Sequence, residues 1–144
     1  MTPRRIILLV GHQEEQLGPR RFFLETRGFR VLTATTLRDA LNAVVRNDVR
    51  VAVVDLEFEE GNGVQLGLSL VTMLREWSAD VRTVLVTRVD KGIAHPAEAL
   101  LFAGPQLNFE LIERVRVLSG RKRGPRRVEG AIRVVAAGGV VCAS

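Results

Sequence analysis

Cysteine is nearly absent from this chain: Cys142 is the only one in 144 residues. A single thiol excludes an internal disulfide framework and cannot make a thiolate zinc site alone. Long apolar runs are missing too. The longest are short and lie between charged residues, far from the roughly 20 residues that cross a bilayer. Met1-Thr2-Pro3-Arg4-Arg5 ahead of Ile6-Ile7-Leu8-Leu9-Val10 imitates a signal peptide. The run is too short for one, and Gln13, Glu14 and Glu15 follow it at once. A cytoplasmic protein without a membrane partner is expected. No serine, histidine and acid arrangement suggests a hydrolytic triad. Gly11-His12-Gln13 is not a phosphate-binding glycine loop, since one glycine carries no such signal. Neither pattern points to an enzyme.

Apolar residues make up 47% of the chain, which argues against overall disorder. The length suits one domain with a short appendage, read as 1–118 and 119–144. Charge is unevenly placed. Residues 1–118 are neutral overall, and the excess of +5 falls in 119–144. There Arg121, Lys122, Arg123, Arg126, Arg127 and Arg133 face one acid, Glu129. Such a cluster can attract nucleic acid or an acidic partner, but a solvated linker is the plainer reading.

Short β-branched runs alternate with helical stretches. Strands are expected at Ile6–Val10, Phe29–Thr33, Val49–Leu56, within Val81–Val89, and at Leu100–Ala103. Continuous apolar strands separated by helices imply a parallel sheet covered on both faces. The first helix lies within Glu14–Arg27 and ends at Gly28; Pro19 either starts it or kinks it. The second runs from about Leu37 to Arg46, with Thr36 and Asp39 at capping-box spacing. The third spans about Val64–Trp77 and is apolar on more than one face. The fourth region, Asp90–Leu101, is short and contains Pro96. The fifth helix is Phe109–Leu118. Gly120–Pro125 breaks the chain, and Val128–Val141 reads either as a helix ended by Gly138-Gly139 or as a hairpin turning there.

The expected architecture is α/β: a flavodoxin-like (βα)5 three-layer sandwich with a parallel sheet in the order 2-1-3-4-5. Ligand chemistry then belongs outside the carboxyl ends of strands 1 and 3, where the order reverses. That rule brings Gly11-His12, Asp55 and Thr87 to one crevice. Asp55 follows four small apolar residues and precedes an acidic loop, Glu57 to Gly63. It reads either as an acyl-phosphate nucleophile or as a polar strand terminator. Glu57, Glu59 and Glu60 could join it around a cation, but a solvated acidic loop is the preferred reading. His12 could be a metal ligand or a pH-sensitive group, with an exposed loop histidine preferred.

Over about residues 4–118 the sequence resembles the receiver domains of response regulators, the CheY-like family of two-component signalling. Asp55 falls at the family's phosphoacceptor, and Gly63 at the glycine that opens the third helix. Thr87 matches the hydroxyl residue that reorients on phosphorylation. The departures are equally specific. The resemblance implies an acidic pair holding magnesium at the end of strand 1, where this chain has Gly11-His12. It also implies a lysine after strand 5, where Gly104 stands before Pro105. The chain has only two lysines, Lys91 and Lys122, and neither fits. Imidazole is a poor magnesium ligand and glycine offers no side chain.

Without the metal site and the lysine, phosphorylation should slow by orders of magnitude. The resemblance thus implies a degenerate receiver, or pseudo-receiver. It would act as a protein-interaction module, with a signalling partner such as a histidine kinase or an output protein, or with a second copy of itself. No cofactor is expected; magnesium enters only if phosphorylation is retained. Two alternatives stay open: a working phosphoacceptor at Asp55, and nucleic-acid binding through the basic tail, which lacks aromatic interleaving and a recognition-helix pattern.

Overall fold

The apolar runs pair into one five-stranded parallel sheet. The strands are β1 Ile6–Val10, β2 Arg30–Ala34, β3 Val49–Asp55, β4 Arg82–Thr87 and β5 Ala99–Phe102. Their order is β2-β1-β3-β4-β5, as expected. The chain is seen here in a computed structural model that describes residues 4–78, 80–88 and 94–120. Both readings of Val128–Val141 and the basic cluster lie outside those residues, as do Lys91 and Lys122.

Among the described residues four helices cover the sheet: α1 Glu14–Glu25, α2 Leu37–Arg46, α3 Gly67–Trp77 and α4 Leu107–Ser119. Side chains alternate across a strand, so β1 feeds two cores. Ile7 and Leu9 pack with Leu17 and Leu24 of α1 and with Leu111 and Val115 of α4. Leu8 and Val10 pack on the other face with Ala40 of α2 and Leu70 and Leu74 of α3. This is the three-layer sandwich. Among the described residues no helix is long and apolar enough to cross a membrane.

Local choices agree with the global plan at α2, whose bounds match the expectation. The Thr36 hydroxyl accepts the Asp39 N–H at 3.0 Å, a cap that contributes about 1 kcal/mol. The helix also begins on a loop carboxylate, because the Leu37 N–H donates to Glu60. At α1, proline does not mark the start. The helix opens at Glu14 and runs through Pro19.

Two expectations need correction. The third helix begins at Gly67, not Val64. Residues before it form a loop instead. Phe58 is fully buried there, its N–H donates to Asp55 O at 3.0 Å, and its carbonyl accepts the Leu66 N–H at 2.7 Å. Gly67 therefore opens the helix in place of Gly63, which sits in the loop at φ +78°. The reason is steric. A Cβ on Gly67 would lie 2.4 Å from Asp55 O and 2.6 Å from Leu56 O.

The second correction concerns the crossover between β4 and β5. Among the described residues it contains no helix, so the fourth βα unit shows only its strand, while β5 is followed by Leu107–Ser119. Residues 94–98 run without one into β5, which begins at Ala99. Pro96 lacks the N–H that a helix interior needs. Its carbonyl accepts from Arg75 of α3 at 2.7 Å. Glu98 then docks on β4: its carboxylate accepts from the Thr83 N–H and Oγ1, both at 2.8 Å.

Candidate functional site

Strand register assembles the crevice. Val10 pairs with Val54, Asp55 with Val86, and Thr87 with Phe102. The residues that end β1, β3, β4 and β5 therefore meet at one edge. A small cavity there, of about 40 Å³, is lined by His12, Gln16, Arg20, Asp55, Glu57, Val86, Arg88 and Ala103. That is room for a water or so, far below the several hundred Å³ of an ordinary small-molecule pocket.

Asp55 is buried, and its carboxylate is already engaged. Arg20 Nη1 donates to Asp55 Oδ1 at 2.8 Å, across 35 positions of sequence. The two side chains are 14% and 11% exposed, so water screens the pair little. Arg20 reaches Asp55 because α1 turns one stripe toward the sheet. Leu17 and Leu24 occupy that stripe, and Arg20 lies three residues after one and four before the other. The other carboxylate oxygen sits over Gly11: a Cβ there would lie 2.6 Å from Asp55 Oδ2 and 3.0 Å from Leu17 Cδ2.

Burial pushes the Asp55 carboxyl above its ordinary value of 3.8. The Arg20 charge and hydrogen bond pull it down without overcoming that rise. Glu57 adds to the rise, and Arg88 opposes it. Desolvation thus outweighs one well-placed guanidinium.

Thr87 is fully buried, and its hydroxyl donates to Glu57 Oε2 at 2.8 Å. The rest of the acidic loop also has intramolecular partners. Glu59 Oε1 accepts the Gly61 and Gly63 N–H groups at 3.2 and 3.1 Å, and Glu60 caps α2. The loop is therefore held by its own backbone rather than gathered around Asp55. His12 is exposed on the rim of the cavity. Gly104 is exposed, and a Cβ there would meet nothing; Ala103, one residue earlier, lines the cavity.

No family model matches the sequence, and no curated protein matches it either. Solved structures do match. The response regulator TrrA from Thermotoga maritima, in complex with Mg2+–BeF, gives a TM-score of 0.69 at 20% identity, covering 79% of this chain and 98% of that one. A CheY-like receiver domain protein from Methanospirillum hungatei gives 0.70 at 18% identity, covering 81% and 94%. An orphan response regulator of H. pylori gives 0.66 at 15% identity, covering 81% and 99%.

The chain has the fold of a response-regulator receiver domain.

On that receiver fold the magnesium position implied by the resemblance can be tested against the side chains present. They do not fit. Magnesium wants near-octahedral oxygen ligands, usually including carboxylates. Gly11 supplies no side chain, His12 offers nitrogen, Asp55 is paired with Arg20, and Glu57 is bonded to Thr87. Among the described residues no group of three His, Cys, Asp or Glu side chains is placed to hold a metal. The positive charge beside Asp55 comes instead from Arg20 and Arg88.

Arg20 and the role of Glu57 were not singled out in the sequence. A signal for Arg20 existed: a charged residue at a core-facing position of an amphipathic helix, which needs a buried partner. For Glu57 no pattern marks it above Glu59 and Glu60.

Proposed function

We propose that this domain is a non-enzymatic interaction module of two-component-type signal transduction. It docks a signalling protein, such as a histidine kinase or an output protein, or a second copy of itself. Ordinary magnesium-dependent phosphorylation of Asp55 is not part of that role.

The single observation that carries this reading is the Arg20–Asp55 pair, closed at 2.8 Å over Gly11. Phosphoryl transfer depends on metal and charged groups arranged around the reacting oxygens. Here the nucleophile's oxygen already holds a guanidinium that belongs to the chain. A phosphoryl donor would have to displace Arg20 and bring a metal to a place where Gly11 offers no carboxylate. The receiver fold supports the signalling context, and the crevice supports the departure from the usual switch.

The test is beryllofluoride with magnesium, read by thermal shift and by amide NMR on the full chain. The expected result is no change in melting temperature and no shift of the Asp55, Thr87 or Ala103 amides. A clear response that disappears in Asp55→Asn would establish a working phosphoacceptor and overturn the proposal.

A further inference from the structure

We infer that Glu57 is a built-in acceptor that holds Thr87 in one orientation, so that the β4–β5 edge of the crevice is set by the chain's own residues. This deepens the function proposed above and rests on its reading of the crevice as self-paired.

The geometry starts at Thr87. Its side chain is fully enclosed, and its hydroxyl donates to Glu57 Oε2 at 2.8 Å. A carboxylate acceptor makes such a bond charge-assisted, stronger than one to a neutral oxygen. Glu57 is delivered by a firmly placed segment. Its neighbour Phe58 is fully buried, and the Phe58 N–H and C=O are bonded to Asp55 O and to the Leu66 N–H. The carboxylate therefore arrives at Thr87 on an anchored stretch of backbone rather than on a loose loop.

The two sides of the crevice are complementary. Asp55 has a cation from within the chain, Arg20 on α1. Thr87 has an anion from within the chain, Glu57 after β3. Neither charge needs to come from a bound ion or a transferred group. Ala103, which lines the cavity with Glu57, is bonded to the Thr87 main chain. Thr87 O accepts the Ala103 N–H at 2.8 Å, and Thr87 pairs in register with Phe102 on the edge strand β5.

The experiment uses the full chain with no ligand added and reads two signals by NMR, the Thr87 γ-methyl and the Ala103 amide. Glu57→Ala removes the acceptor. It should displace both signals and broaden them by exchange between orientations, more than any amide outside the crevice. Glu57→Gln keeps an oxygen acceptor and should return both close to their wild-type positions. Unmoved signals in a folded Glu57→Ala protein would overturn the inference, as would Glu57→Gln and Glu57→Ala acting alike. Thr87→Val supplies the second arm if Glu57→Ala fails to fold: the Glu57 side-chain carboxyl carbon and the Ala103 amide should both move, and no movement rejects the latch. A beryllofluoride response in the wild type is a separate outcome. It would sink the proposed function while leaving the Glu57 result to stand or fall on its own.

Discussion

Two buried carboxylates lie at opposite ends of the sheet, and they do different work. Asp55 closes β3 at the crevice, and Glu98 precedes β5 at the far end. Their side chains are equally covered, at 11% exposed. Glu98 is woven into the backbone. It bonds the Thr83 N–H and hydroxyl, and Arg75 and Arg82 approach it at 3.9 Å. Asp55 has one short pair with Arg20 and faces a small cavity. Glu98 pins a crossover that has no described helix to hold it. Asp55 sits where a fold of this type places its chemistry. The same degree of burial thus marks a structural pin at one end and a site at the other, and the partners decide which.

The largest effect should come from the pin. Glu98→Ala removes the acceptor for Thr83 and leaves two arginines beside an empty place, so it should destabilise the domain by about 3 kcal/mol. Urea unfolding would read this. A loss under 1 kcal/mol would mean that the crossover is held by something other than Glu98.

A smaller effect should follow at the site. Arg20→Ala leaves Asp55 buried without its cation and should cost about 2 kcal/mol at neutral pH. Most of that cost should vanish in the Arg20→Ala, Asp55→Asn double variant, because the uncompensated charge is gone. The double-mutant cycle isolates the pair. Strict additivity of the two single changes would show that Arg20 and Asp55 do not act together.

The last prediction concerns sign. Asp55 is raised in the folded state, mainly by burial. The folded form therefore holds its proton more tightly than the unfolded chain does. The resulting stabilisation is complete below the ordinary value of 3.8 and is lost as pH rises through the raised folded value. Wild type should lose stability relative to Asp55→Asn over that window. A wild type that gains stability relative to Asp55→Asn as pH rises would show that Arg20 outweighs desolvation, and the contrast between the two carboxylates would need redrawing.

Much of this was legible beforehand, for identifiable reasons. The β-branched run Val51-Ala52-Val53-Val54 reads as a strand buried on both faces, and it leads straight to Asp55. The α2 start followed from the capping-box spacing of Thr36 and Asp39. The start of α3 was not legible, because Val64 and Leu66 continue an apolar pattern into what folds as a loop around Phe58. The resemblance pointed to Gly63 as the glycine that opens the helix, and nothing in the sequence singled out Gly67. What separates them is the proximity of the Asp55 and Leu56 carbonyls, a tertiary fact. The crossover after β4 was readable as shortened from Pro96, but nothing local marked Glu98 as its anchor.

The sequence by itself determined the sheet, its order and the placing of Gly11, Asp55 and Thr87 at one edge. Strand runs and their alternation are local properties, and parallel winding follows from them with little freedom. Only the tertiary structure decided who partners Asp55 and Thr87. Arg20 lies 35 positions from Asp55 and Glu57 lies 30 from Thr87. Side-chain pairing over such distances depends on which way a helix face and a loop turn within the packed fold. That Gly11 brings no side chain to this edge could be read from one line of residues. That the Asp55 carboxylate lies over it, paired with an arginine, could not.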